Sequence, residues 1–222
     1  MYLDVKSEFR RHDGVVPMER LTPERRRELT RSALVEAAAE VFARRGFDGA
    51  SLEEIAEVAG FTRGAIYSNF GSKEELMLAV IERYDQNLVD AFSQSLAEGR
   101  DTSKEEMTIS AAALWRDLIR RDPNLTALNL EVRVRALRDP EFRARLLDLQ
   151  RQNTERIAGL IERESKTYGI ALSINPVDLA EILSAATVGL SELAGIDPEH
   201  AERYDRLVEI FFGMMGNAMG ES

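Results

Sequence analysis

Apolar residues recur every three or four positions along most of this chain, the spacing that buries one face of an α-helix and not of a strand. Leu34, Ala37, Ala38, Val41 and Phe42 mark a first stripe, in a helix that Thr22 and Pro23 open and Gly46 stops. Ile55, Val58 and Ala59 mark a second helix, Ile66 and Phe70 a third. Leu76, Val80, Tyr84, Leu88 and Phe92 predict a fourth, running to about Leu96. A helix from about Lys104 to Arg120 follows the polar stretch 99–103, and Asp122 with Pro123 breaks it. Leu128, Leu130, Val132 and Val134 alternate as a strand would, yet no partner strand exists in the sequence. Leu125, Leu128 and Val132 fit a helical stripe and Glu131 with Arg135 an i,i+4 pair, so the spacing predicts helix. Asp139 and Pro140 open a long helix to about Lys166, and Pro176 and Pro198 open two more, to about Ala194 and Met219. The fold class is all-α.

The stretch from Ser51 to Lys73 carries the densest punctuation. Ser51 with Glu54 forms a capping box at a helix start, and Gly60 supplies the left-handed residue that ends the helix. Phe61 and Thr62 turn the corner into a short helix from Arg63 to about Asn69. Ser72 with Glu75 then starts the next helix with a second capping box. So short a helix buries little, which favours a role in presenting side chains. Its outer face holds Arg63, Gly64, Ala65, Tyr67, Ser68 and Asn69, groups suited to a DNA groove. The alternative is a helix-turn-helix that only packs.

From Arg31 to Val80 the sequence resembles the N-terminal domain of TetR-type transcriptional regulators. The resemblance rests on Leu34, Ala38, Phe42 and Gly46, then Ile55, Ala56, Ala59 and Gly60, then Tyr67, Phe70, Lys73 and Leu76. It departs from the family's usual pattern at Ser68 and Asn69. It implies an N-terminal three-helix reading domain over 22–80 and a larger helical domain over 81–222 that binds a small effector and forms a homodimer. Residues 1–21 lack sustained periodicity and read as a flexible arm, either a solvated leader or one whose Arg10 and Arg11 trail into a minor groove.

Charge complicates that expectation. The chain has a net charge of −10, whereas phosphate binding needs a positive surface. The acidity is uneven: 12 basic and 14 acidic residues lie up to Glu75, against 17 and 25 beyond it. A locally positive face on an acidic body is expected. Arg25, Arg26, Arg27 and Arg31 crowd the start of the first helix, as a solvated face or as phosphate contacts.

Composition excludes several classes. The content of 44% hydrophobic and 31% charged residues is ordinary for a globular protein. No cysteine is present and the only histidines are His12 and His200, which leaves no thiolate site and no histidine-rich metal site. Neither a membrane span nor a secretory leader is read, so the expected location is cytoplasmic, with no membrane partner. No Ser-His-acid set, phosphate-cradling glycine loop or paired Glu-x-x-His motif appears, so neither an enzyme nor a cofactor is expected.

The expected site follows from these assignments. Arg63 can reach guanine O6 and N7, Gly64 and Ala65 allow close approach, and Ser68 and Asn69 can bond base edges. Ser51, Thr62, Tyr67 and Lys73 suit phosphates; the resemblance gives that role to the tyrosine and lysine. Two such heads on a dyad, roughly 34 to 36 Å apart, would read a symmetric double-stranded operator. The helix from Lys73 to Leu96 joins the two regions and is the natural lever between effector and DNA. Phe92, Leu96, Leu114, Trp115, Leu118, Leu128 and Val132 are candidates for an apolar effector cavity, with Asn129, Arg116 or Arg133 as polar handles. Leu179, Leu183, Ala186, Leu190, Leu207, Phe211 and Met215 are candidates for a four-helix dimer interface. The competing function is a helical interaction module that no longer binds DNA.

Overall fold

The structure, a computed structural model, describes residues 22–98, 106, 109–114, 116 and 123–218. The N-terminal arm, most of the helix expected at 104–120, and Trp115 and Leu118 lie outside these residues. Every long element among the described residues is an α-helix. They are α1 (Pro23–Gly49), α2 (Leu52–Ala59), α3 (Arg63–Phe70), α4 (Lys73–Glu98), α5 (Pro123–Arg138), α6 (Pro140–Thr167), α7 (Pro176–Ile196) and α8 (Ala201–Ala218). Residues 109–114 form a further helical stretch. Pro198 opens a 3-10 turn, Pro198–His200, and the α-helix proper starts three residues later than the proline signal predicts, at Ala201.

The ends of the first helices follow the cap chemistry. Thr22 accepts the Arg25 N–H at 3.2 Å and Ser51 accepts that of Glu54 at 3.0 Å. Ser72 accepts the Glu75 N–H at 3.1 Å. The reciprocal halves of both expected capping boxes are taken elsewhere: Glu54 pairs with Arg44 at 3.1 Å, and Glu75 pairs with Arg145. Gly60 ends α2 at φ 72°, ψ 25°, a left-handed conformation that side chains resist. Gly46 breaks α1 at φ 69°, and a short helical turn then runs on to Gly49. The positive φ favours glycine there, and an added Cβ would also sit 2.8 Å from Glu131 Oε1 and displace that carboxylate.

Packing settles the ambiguous segment as helix. Leu128 and Val132, four residues apart, are each 2% exposed, while Val134 is 45% exposed. The expected Glu131–Arg135 pair does not form, because each side chain reaches across to the N-terminal helices. On α2 the buried residues are Leu52, Ile55 and Ala56, whereas Val58, expected on the inner face, is 43% exposed.

One continuous core crosses the boundary at residue 80. It joins Leu34, Phe42, Ile55, Ile66 and Leu76 of the head to Leu128 and Val132 of α5 and Phe142 and Leu146 of α6. α7 has a window of mean hydropathy 1.4 and is long and apolar enough to cross a membrane by length and composition, contrary to the sequence reading. Its inner face is occupied by packing against α6, α5 and α8.

Candidate nucleic-acid interface and cavity

α3 stands on two anchors. Ile66 is fully buried and Phe70 is 7% exposed, which fixes the helix's rotation against α1, α2 and α4. The opposite face therefore carries Arg63, Gly64, Tyr67 and Ser68, all exposed, with Phe61 and Thr62 exposed at its start. Ala65 and Asn69 turn partly inward. Asn69 donates through Nδ2 to the Ala65 carbonyl at 2.7 Å, and Ser68 Oγ donates to the same carbonyl at 3.0 Å. Both side chains are folded onto their own helix in this conformation. The Thr62 hydroxyl makes no cap bond.

Arg63 is not free in this conformation. Its guanidinium pairs with Glu53 of α2 and donates to the Tyr67 hydroxyl at 2.8 Å. The hydrogen bond to Tyr67 and the nearby Glu53 charge hold Arg63 above its ordinary pKa. The expected cationic face is thus partly neutralised by an acid that sits on a different helix. Lys73, at the first turn of α4, lies 4.5 Å over the Phe47 ring. Burial lowers its pKa, against the raising influence of Asp48 and Glu74.

The α1 arginines divide into roles the sequence left open. Arg31 donates to the Asn69 carbonyl at 3.2 Å and its guanidinium stacks 4.3 Å from the Phe70 ring centre. Arg27 reaches the Ser68 carbonyl at 3.5 Å. Two cations one turn apart therefore satisfy the last carbonyls of the reading helix, where the helix dipole favours positive charge. Arg25 pairs with Glu28 at 3.1 Å. Only the i,i+4 spacing of Arg27 and Arg31 signalled a common target, and it did not name the target.

Behind the head, α4, α6, α7 and α8, with Ala111 of the 109–114 stretch, line a partly open cavity of about 290 Å³. Phe92 and Leu96 line it as expected. Leu128 and Val132 belong instead to the core, and Asn129, Arg133, Arg116 and Leu114 are not in the wall. Arg133 pairs with Glu192 at 3.1 Å and Arg116 with Glu209 at 3.2 Å. Sequence reasoning missed the polar wall residues Asp85, Asn153 and Glu164, because they come from helices far apart in the chain. Burial, opposed by the Arg156 charge, pushes Asp85 up to about 6.

The expected dimer residues also redistribute. Leu179 is 1% exposed and lines the cavity with Leu183, and Leu190 packs on Ala112 and Val208, so these three face their own chain. Ala186, Leu207 and Phe211 are half-buried, and the Met215 side chain lies outside the described residues. The large apolar residues left exposed on the last two helices, among the described residues, are Val177, Ile182, Leu193, Ile196, Ile210 and Met214, between 45% and 70%.

Comparison with known proteins places these features. Residues 34–80 match the model for bacterial regulatory proteins of the tetR family. The chain is 34% identical over 139 residues to the HTH-type transcriptional activator FasR of Mycolicibacterium smegmatis, covering 63% of this chain but less than two thirds, 62%, of that one. It is 24% identical over 193 residues to the HTH-type transcriptional repressor AcnR of Corynebacterium efficiens, covering 79% of this chain and 94% of that one. In fold it is similar to a crystal structure from Rhodococcus sp. assigned to the same family, with TM-score 0.67 and 23% identity over 87% of this chain and all of that one. Residues 34–80, which hold the helix-turn-helix, are thus similar to the DNA-reading region of bacterial regulatory proteins of the tetR family, and the described helices as a whole share the fold of the Rhodococcus structure.

Proposed function

We propose that the chain is a ligand-responsive transcriptional regulator, acting in the cytoplasm as a homodimer on dyad-symmetric double-stranded DNA. It represses when bound and is released when a small effector fills the cavity. The carrying observation is the rotation of α3: Ile66 and Phe70 anchor it inward, which leaves Arg63, Gly64, Tyr67 and Ser68 outward. Arg63 reads a base edge, and Tyr67, Lys73, Ser51 and Thr62 hold phosphates together with the free N–H groups at the helix starts. One eight-residue helix reads too few base pairs to select a site, so two heads on a dyad are needed. The exposed apolar residues of α7 and α8 supply the surface that pairs them.

The coupling runs through α4, which starts beside the DNA face at Lys73 and lines the cavity at Asp85 and Phe92. A ligand that fits the cavity in only one arrangement of α4 shifts the spacing of the two heads by its differential affinity.

The test is binding to a selected operator and to random duplex, followed by fluorescence anisotropy across salt concentrations. The natural chain binds both with steep salt dependence. Arg63→Ala narrows the operator-to-random ratio by roughly tenfold to a hundredfold. Lys73→Ala weakens both duplexes alike. Absence of salt-dependent binding to any duplex returns the chain to the interaction-module reading.

A further inference from the structure

Arg63 is held from two helices at once. Its Nη2 donates to the Tyr67 hydroxyl at 2.8 Å, one turn along α3, and its Nη1 donates to Glu53 in the first turn of α2. The guanidinium carbon also stands 5.3 Å from the centre of the Tyr67 ring, within reach of a cation–π contact. A lone exposed ion pair holds a long side chain weakly. Here one planar group has several contacts, and the helices that supply them are fixed by buried Leu52 and Ile55 on α2 and Ile66 and Phe70 on α3.

The hold leaves Arg63 able to read a base. A guanidinium has more N–H donors than these bonds use, and the free ones suffice for guanine O6 and N7. Tyr67 accepts from Arg63 and keeps its own hydroxyl proton for a phosphate. The Arg63 and Glu53 side chains are 54% and 60% exposed, so the unit is open to solvent.

Orienting the group acts differently on the two kinds of duplex. On a guanine in the right place, a fixed fork loses less rotamer freedom than a free one. On random duplex Arg63 gains a phosphate only by leaving Glu53, whose charge also repels that phosphate.

We propose that Glu53 is a positioning residue that sets operator specificity: together with Tyr67 it orients Arg63 toward guanine and withholds it from phosphates, without itself touching a base. The proposal rests on the reading of α3 as the DNA-recognition helix.

The experiment titrates the full chain by fluorescence anisotropy against a selected operator, random duplex, and operators substituted at each base pair in turn. Glu53→Gln narrows the operator-to-random ratio by about threefold to tenfold, the worth of one hydrogen bond, with helical content unchanged. It relaxes discrimination at the same base pair that Arg63→Ala relaxes. Tyr67→Phe, which keeps the ring and loses the hydroxyl, narrows the ratio at that base pair too. In the Arg63→Ala background, Glu53→Gln shifts both duplexes alike and leaves the ratio where it was. A ratio unchanged or widened by Glu53→Gln overturns the orienting role. Relaxation at a different base pair, or further narrowing in the Arg63→Ala background, makes Glu53 a base contact and overturns it as well. Each of these results leaves DNA binding standing; that reading falls only if the natural chain binds no duplex in a salt-dependent way.

Discussion

Glu131 Oε2 accepts the backbone N–H of Phe47 at 2.6 Å, across 84 residues of chain. The break at Gly46 frees that N–H from the α1 ladder, and a carboxylate on α5 takes it up. One turn further along α5, Arg135 donates to Glu74 at 2.8 Å and stacks on Phe47, whose ring also faces Lys73. Phe47 thus sits where the reading head, the start of α4 and the body meet. Glu131→Ala leaves the N–H without its acceptor and lowers stability by about 1 to 3 kcal/mol in urea unfolding. Glu131→Gln, which keeps an oxygen at the same place, recovers at least half of the loss.

The pair between Glu53 and Arg63 competes with DNA for the guanidinium. Glu53→Gln frees it without touching the core and removes a negative charge beside the phosphates. Affinity for random duplex rises by about threefold to tenfold at low salt and converges with the natural chain at high salt. An unchanged affinity in an anisotropy titration at low salt shows that the pair does not restrain Arg63.

Arg31 caps and stacks on the end of α3, so its loss acts on the helix and not on a base. Arg31→Gln raises hydrogen exchange at the C-terminal amides of α3 by about threefold to tenfold, with operator and random duplex weakened by the same factor. A loss confined to the operator would make Arg31 a base contact instead.

Asp85 titrates at about 6 in the fold, above the ordinary 3.8. A carboxyl with a raised folded-state pKa costs stability when charged: the cost is absent below about pH 4, grows between pH 4 and 6, and is complete above. Asp85→Asn therefore stabilises the chain at pH 8 by about 2 kcal/mol and has no such effect at pH 3.5. Parallel thermal melts at the two pH values check it.

Ile182, Ile196 and Met214 are exposed on α7 and α8 at 48%, 70% and 58%. Ile182→Glu with Met214→Glu places charge on the surface proposed for pairing. Sedimentation at micromolar concentration shows the natural chain as a dimer and the variant as a monomer with unchanged helical content. A natural chain that sediments as a monomer rejects the pairing.

The helices, their caps at Thr22, Ser51, Gly60, Ser72 and Asp139, and the outward face of α3 around Arg63 and Tyr67 were legible in the sequence. Each depends on residues within about one turn of one another, and periodicity with local hydrogen bonding specifies such features. Tertiary structure decided which of two locally allowed partners each charged side chain took. Glu54 left its capping box for Arg44, Glu131 left Arg135 for Phe47, and Glu53 came to Arg63 from another helix. It also decided that Leu179 faces a cavity and Ile182 the outside, and that polar residues from α4, α6 and α7 line one space. Distances across a bundle are set by how whole helices cross, and no spacing along one helix encodes the position of a residue on another.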